Sequence, residues 1–571
     1  MIVSDFVARF LYERGVEYVY EVIGGMITRL IDSIHRQGKI RLISVHHEQA
    51  AAFAADAMGR LTGIPGVAMA TSGPGATNLL TGIGSCYFDS VPAIFITGQV
   101  NRHEQKGERP TRQMGFQETD IAQIATPITK AAWQINEPEQ LPYFLEKAFK
   151  LATSGRPGPV LIDIPMDVQK ADIGAYLSRV GSKTANSVSE HYELKEILYS
   201  LQTARRPLIL VGGGVRAAKA VNLFREFVNL IQIPVVHSLM AVDALPYRHP
   251  QRVGLIGTYG NRWANLAVGL SDLLLVLGSR LDIRQTGSDV SAFKATRTIY
   301  HVDIDKGEIN NRVQGCQPVV GNLLSFLRRL LGAVGPTNWR ERSEWMSEID
   351  RLRRKWPDTD EIQTITGINP NRLMHELSRV SQQASVFVVD TGNHQMWAAQ
   401  SLELRDDQRF VTSGGMGAMG FALPASIGAS LATSRPVVML AGDGGMQMNI
   451  QEIQTVAHHR LPIKMVVLNN RSLGMVRQFQ QAYFQERYQS TFWGYSAPNF
   501  SHVAQAYGID SLTVSEREDL SVALAKMWAK SSDPFLLEVL IDVSANAYPK
   551  IAFGQPMTEM EPFALPLGTQ S

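Results

Sequence analysis

Asp443 and Asn470 each close a short apolar run, and each carries a hard oxygen donor. The first run, over 436–441, leads into Gly442, Asp443, Gly444 and Gly445; the second, over 463–468, leads into Asn469 and Asn470. Between them Ile450, Ile453, Val456 and Ala457 repeat at helical spacing. The pattern predicts a β-α-β unit with both ligands at the carboxyl ends of neighbouring parallel strands. Oxygens so placed suit Mg²⁺, which accepts one or two protein ligands and completes its shell with water and phosphate. Gly442, Gly444 and Gly445 allow a tight turn and close approach to a ligand. A helix starting there offers free N–H groups to a diphosphate. Gly-Asp-Gly alone is an ordinary strand-turn-helix; the Asn-Asn closing the next strand makes it informative.

These residues need sheets to hold them, and the chain supplies three α/β units. Residues 1–175 alternate helical and strand patterns. Strand-like runs over 19–23, 41–45, 66–70 and 93–97 end in Gly24-Gly25, His46-His47-Glu48, Ser72-Gly73-Pro74 and Gly98-Gln99. One edge of that sheet is therefore expected to be functional. Residues 50–60 form a helix rich in alanine, which permits close approach of another element. A polar connector covers 174–193. The second unit, 190–335, opens with a strand running into Gly212, Gly213 and Gly214, and a later strand ends at Asp303. That arrangement resembles nucleotide-binding sheets, where the acid bonds a ribose, although three glycines by themselves more often make only a tight turn. A charged, tryptophan-bearing linker over 336–370 is expected to be a helix crossing the surface. The third unit, 365–545, contains Asp443 and Asn470, and its first strand, 386–389, ends at Asp390-Thr391-Gly392-Asn393-His394. A proline-rich tail, 546–571, is expected to be irregular, either folded over a site or loose. The fold class is α/β, with three Rossmann-like, doubly wound parallel-sheet domains.

The 571 residues, 45% apolar and 19% charged, describe an ordinary globular protein. A net charge of +2 gives no reason to expect nucleic acid or an anionic membrane as partner. The two cysteines, Cys86 and Cys316, form no metal-binding pattern and fit a reducing compartment. Asp5, Arg9 and Glu13 interrupt any signal-peptide core. No apolar run is long enough to span a bilayer. A cytoplasmic protein is expected.

With the residues laid out, the full length of the chain resembles the thiamine-diphosphate-dependent acetolactate synthase (acetohydroxyacid synthase) catalytic-subunit family. The resemblance rests on His47-Glu48-Gln49, the run from Thr71 to Asn78, Thr97-Gly98-Gln99-Val100, Phe116-Gln117-Glu118 and Arg156-Pro157-Gly158-Pro159. It rests equally on His394-Gln395-Met396-Trp397, the run from Gly414 to Gly420, Gly442-Asp443-Gly444 with Asn469-Asn470, and Leu473-Gly474-Met475. It implies that the first domain holds the aminopyrimidine, the middle domain can hold FAD, and the third holds the diphosphate and Mg²⁺. Glu48 then bonds the pyrimidine and drives its proton relay. Met419 bends the cofactor, and Gln99, Phe116 and Gln117 stand near the reacting centre. Gly24, Gly25, Thr71, Asn78, Thr391, Asn393, His394, Gly417, Gly442, Gly444, Gly445 and Met475 complete the thiamine site. Asp443 and Asn470 ligate the metal by side chain and Ser472 by its carbonyl. For FAD the matching positions are Gly212, Gly213, Gly214, Ser238, Leu239 and Met240, together with Gly278, Arg280, Asp303 and Ile304. The family's site lies between subunits, which implies a homodimer as the minimum, a homotetramer as a larger closed form, and room for a regulatory small subunit.

The implied reaction decarboxylates pyruvate and transfers the two-carbon unit to a 2-keto acid, giving 2-acetolactate. The acceptor side departs from the family. Its Tyr-Pro-Gly-Gly is Val22-Ile23-Gly24-Gly25 here, its Asp-Asp-Arg is Asp282-Ile283-Arg284, its entrance lysine is Met166 and its channel tryptophan is Phe479. Thr391 and Asn393 also stand where Val and Gln are usual. A related carboligase acting on a larger ketone, such as a nucleotide-linked keto sugar contacted by Arg102, Arg109 and Arg112, is the alternative. A non-catalytic cofactor-binding protein is a third reading, opposed by the intact Glu48, Asp443 and Asn470.

Overall fold

The computed structural model describes residues 1–174, 193–334, 339, 341–362 and 364–567. Three six-stranded parallel sheets, each flanked by helices, organise it. The first contains β1 (Tyr18–Val22), β2 (Arg41–Ser44), β3 (Gly66–Ala70), β4 (Ala93–Gln99), β5 (Ala131–Gln134) and β6 (Pro159–Pro165), in the order β2-β1-β3-β4-β6-β5. The second contains β7 (Pro207–Val211), β8 (Val235–His237), β9 (Arg252–Leu255), β10 (Leu273–Leu277), β11 (Thr298–Asp303) and β12 (Gln317–Val320), in the order β12-β11-β10-β7-β8-β9. Counted from β7 this is the dinucleotide-binding order 3-2-1-4-5-6. The third contains β13 (Val386–Val389), β14 (Arg409–Thr412), β15 (Val437–Gly442), β16 (Ile463–Asn469), β17 (Ser511–Val514) and β18 (Phe535–Leu540). Its order, β14-β13-β15-β16-β18-β17, repeats that of the first sheet.

The inner strands β3, β4, β6, β7, β10 and β16 are buried along their whole length. Both faces are covered by helices, so they read in sequence as continuous apolar runs. The alanine-rich helix is Glu48–Thr62, and its close neighbour is Ala422–Thr433 of the third domain. The approach is so tight that a Cβ on Gly428 would stand 2.1 Å from the Ala54 carbonyl oxygen. Phe53 meets Phe421 edge-on at 5.2 Å between centroids. A continuous apolar core crosses this contact and joins the first and third domains.

The tryptophan-bearing segment forms the helix Ser343–Lys355, which packs one face onto the middle domain. Trp345 and Ile349, one turn apart, are buried there, and the Trp345 indole donates to the Pro207 carbonyl at 3.1 Å. The middle domain therefore extends past residue 335. The tail folds back onto the same domain: β19 (Lys550–Ile551) pairs antiparallel with β20 (Met560–Glu561), and Ile551, Met557 and Met560 enter the same core. Arg262 holds the tail by donating to the Met560 and Glu561 carbonyls while bridging to Glu361. Most of the connector expected over 174–193 lies outside the described residues.

Candidate active site

Adjacent strands β15 and β16 pair in register, Gly442 against Leu468, which brings Asp443 and Asn470 to the same sheet edge. The backbone N–H of Ser472 donates to Asp443 Oδ2 at 3.1 Å and to Asn470 Oδ1 at 3.2 Å. One amide spans both side chains, so their oxygens converge. Burial pushes the Asp443 carboxyl up to about 6, and the Tyr495 hydroxyl bonds to it. A divalent cation would reverse that balance by favouring the carboxylate. Among the described residues no group of three or more His, Cys, Asp or Glu side chains could hold a metal. An ion at Asp443 and Asn470 must therefore share its shell with carbonyl, water or phosphate oxygens, as Mg²⁺ does. The helix expected after the glycines is split in two, Asp443–Met448 and Ile453–His458.

Beside this pair, at the end of β13, Thr391 Oγ1, Asn393 Oδ1 and His394 Nε2 are buried without any partner. Leaving such a group unpaired costs about 1–3 kcal/mol, and three together mark a place that a polar ligand fills. Burial lowers the His394 imidazole to about 3, so the ring is neutral. A Cβ on Gly444 would stand 2.5 Å from Leu473 Cδ2 and 3.1 Å from Met419 Cε, which places the half-buried Met419 directly over the glycine turn. Gly417 and Gly420, on either side of Met419, have φ of 64° and 80°, in the left-handed region that favours glycine. Met475 lies half-buried in the helix Gly474–Tyr483. The donor set fits a diphosphate with a divalent cation.

The first-domain residues gather at the matching edge of the first sheet. Glu48 opens the helix Glu48–Thr62, is 9% exposed, and accepts from Asn78 Nδ2 at 2.9 Å through Oε2. Gly75 faces Oε1, where a Cβ would stand 3.1 Å away, and a Cβ on Gly24 would stand 2.5 Å from that of Thr71. Thr71 Oγ1 is another buried atom with no partner, while Gly25 faces open space. Gln99 closes β4 at this edge. Its amide is buried and fully paired, donating to Thr119 O and Asp163 Oδ2 and accepting from Ser72 Oγ and Val100 N. Asp163, pushed up to about 7 by burial, is the anchor of that network. Phe116 is 81% exposed in the single chain. Gln117 adopts φ 63° and its carbonyl accepts from Ser72 Oγ.

A cleft of about 730 Å³ runs between the domains. Gly213, Gly214, Ser238, Leu239, Met240, Gly278, Arg280, Asp303 and Ile304 line it. Gly212 is not on its wall; it packs against Gly278, whose carbonyl oxygen would be 2.1 Å from a Cβ there. The cleft also takes residues from the first domain, including Arg60 and Arg156, and from the third, including Arg409 and Gly414. Its size suits a dinucleotide, and burial raises Asp303 at the end of β11. The loop arginines of the keto-sugar reading are partly engaged already. Arg102 pairs with Asp167, and Arg109 donates to carbonyls of its own loop.

Two carboxylates that the motifs did not single out organise the site. Asp390, buried at the end of β13, accepts from the backbone N–H groups of Thr391, Gly420 and Ala422. Asp89 of the first domain accepts from Gly414 and Gly415 of the third. Asp390 is visible in sequence as an acid closing an apolar strand; nothing local marks Asp89.

The sheets, the converging oxygens and the unpaired atoms beside them define a thiamine-diphosphate enzyme. Three family models agree: the N-terminal TPP binding domain of thiamine pyrophosphate enzymes matches residues 1–124, the central domain 194–330, and the C-terminal TPP binding domain 390–539. Within that class the chain is 36% identical over 565 residues to the acetolactate synthase large subunit of Lactococcus lactis, covering 98% of this chain and 95% of the relative. It is 36% identical over 560 residues to the acetolactate synthase isozyme 2 large subunit of Escherichia coli, covering 98% of each. It is 35% identical over 573 residues to the acetolactate synthase of Mycobacterium leprae, covering 97% of this chain and 89% of the relative. The chain belongs to the acetolactate synthase large-subunit family. Among the described residues no helix is long and apolar enough to cross a membrane.

Proposed function

We propose that this enzyme condenses pyruvate with a second 2-keto acid, releasing CO₂ and forming a 2-acetolactate-type product. The observation that carries the reading is the pairing of Asp443 and Asn470 beside unpartnered Thr391, Asn393 and His394, in a chain similar over its whole length to acetolactate synthases. Bound thiamine diphosphate supplies a nucleophilic carbon for the ketone and a sink for the electron pair left when CO₂ departs. Asp443, Asn470 and the Ser472 carbonyl would hold Mg²⁺, and Thr391, Asn393 and His394 would line the diphosphate. Met419 would press the cofactor into its bent form. Glu48 would hold the proton that moves to and from the aminopyrimidine, with Asn78 keeping its carboxyl aimed. Gln99, already saturated, acts by shaping the wall of the site around Ser72 and Gln117.

The interdomain cleft supports FAD as a bound dinucleotide with an architectural role. The chain's relatives include proteins named as large subunits, which supports a regulatory small subunit as partner, and family membership supports a shared site in a homodimer or homotetramer, in the cytoplasm. Incubating the purified protein with pyruvate, thiamine diphosphate, Mg²⁺ and FAD and identifying the products by mass spectrometry tests the reading. Acetolactate is the expected product. Pyruvate left unconsumed, or a product made only with a different ketone acceptor, would overturn it.

A further inference from the structure

The loop carrying Met419 contains Gly414, Gly415, Gly417 and Gly420 and so has little intrinsic preference for one shape. Something outside it must fix it. At its start, Asp89 accepts from Gly414 N at 2.9 Å and Gly415 N at 2.7 Å. In its middle, Ser413 Oγ accepts from Ala418 N at 3.2 Å. At its end, Asp390 Oδ1 accepts from Gly420 N at 3.0 Å and Oδ2 from Ala422 N at 2.9 Å, while Asn449 Nδ2 donates to the Gly420 carbonyl at 2.8 Å.

Asp390 does more than close the loop. Its Oδ1 also takes the N–H of Thr391 at 2.8 Å. Gly445, two residues after Asp443, lies against the same carboxylate: a Cβ there would stand 2.7 Å from Oδ1. Three separate segments meet on this side chain. They are the turn leading to Asn393 and His394, the Met419 loop, and the first turn after the metal ligand Asp443. The carboxylate is 1% exposed and has no cation beside it among the described residues, so its hydrogen bonds are all to backbone N–H groups. Such contacts fix backbone positions without regard to the side chains that those segments carry.

We infer that Asp390 is the positioning residue that sets Met419 against the glycine turn and the diphosphate-lining turn, so that the cofactor enters a loop already in its working shape. The inference rests on the reading of Met419 as the residue that bends the cofactor. Asp390 itself touches no reacting atom; it acts through Met419, and a misplacement of about 1 Å at such a residue costs roughly a hundredfold in rate.

A double-mutant cycle of Asp390→Asn with Met419→Ala tests it. Each single substitution should lower kcat by roughly a hundredfold, with KM for pyruvate changed by less than about threefold. The double variant should be no slower than the slower single one, because residues that act as a unit are non-additive. In the cofactor-free protein, Asp390→Asn should raise hydrogen exchange over 414–422 while Met419→Ala should not. In the loaded protein, both should change the near-ultraviolet circular dichroism of the bound cofactor in the same way. If Asp390→Asn does not fold, Asp390→Glu, which keeps the charge and lengthens the arm, takes its place in the cycle. Multiplicative losses in the double variant, or a wild-type kcat for the Asp390 variant, would overturn the inference. A wild-type kcat for Met419→Ala alone would instead overturn the reading of Met419 on which it rests.

Discussion

Replacing Glu48 by glutamine changes one atom type in a pocket of known shape. Glu48 Oε2 accepts from Asn78 Nδ2 at 2.9 Å, and Gly75 leaves room beside Oε1. A glutamine amide of the same size keeps the first contact by turning its carbonyl toward Asn78, which leaves its NH₂ on the Gly75 side. The fold loses at most one neutral-to-charged hydrogen-bond difference, about 1 kcal/mol, and the helix Glu48–Thr62 stays packed through its buried alanines. What is lost is the ability to exchange a proton. A positioned acid-base group contributes roughly 10²- to 10⁴-fold, equivalent to about 3 to 5 kcal/mol of transition-state stabilisation. Glu48→Gln should therefore lower kcat by that factor while thermal denaturation moves little. The assay is acetolactate formation at saturating thiamine diphosphate and Mg²⁺, run beside calorimetric titration of the cofactor to prove occupancy. Exchange of the thiazolium C2 proton for deuterium, followed by NMR, should slow in parallel. A variant that binds cofactor and turns over at the parent rate would refute the assignment of Glu48 to the proton relay.

Two further outcomes follow from the domain contacts. His375 lies between Asp358 Oδ2 at 3.0 Å and Glu403 Oε1 at 3.1 Å, and although burial opposes its charge, the hydrogen bonds and charges of these two acids outweigh that and raise its pKa above 6.5. A raised histidine contributes stability that is fully present below about pH 6.5 and is lost as pH climbs through the folded pKa. The gap in melting temperature between parent and His375→Gln should therefore narrow as pH rises through that window; a gap independent of pH would refute the clasp. At the contact of the first and third domains, a methyl group on Gly428 would press on the backbone carbonyl of Ala54, which cannot move aside as a side chain would. Gly428→Ala should destabilise by about 1–3 kcal/mol in denaturant unfolding, and an unchanged midpoint would show that the helices slide apart freely.

How much of this was legible beforehand depends on whether the physical signal was local. β3, β4, β7, β10, β13, β15 and β16 are central or near-central strands buried on both faces, so burial wrote uninterrupted apolar runs that identify them at sight. β5, β9, β12, β14 and β17 are short and carry no such run; all are sheet edges. β12, Gln317–Val320, is largely exposed and β5 only half-buried, so neither needs an apolar pattern. β6 and β18 are inner strands whose apolar runs are interrupted by Asp163 and Glu538. The helix Ser343–Lys355 was expected as an element but not its partner, because a tryptophan and an isoleucine one turn apart say that a face is buried without saying against what.

The candidate site divides along the same line. Asp443, Asn470, the glycine turns and Glu48 are short-range features: ligand type, a strand end and a turn that only small residues allow are written within a few positions of each other. From them and the family resemblance they carry, the sequence alone determined the cofactor class and the three-domain plan. Only the tertiary structure decided that Ser472 N spans the Asp443 and Asn470 side chains, that the Gln99 amide is consumed by Asp163 and Ser72, and that Asp390 and Asp89 hold the Met419 loop from two different domains. Most of these contacts join different loops or strands, and that of Asp89 with Gly414 joins segments 325 positions apart. A carboxylate accepting backbone N–H groups leaves no trace in the side chains it holds, since every residue but proline carries the same donor.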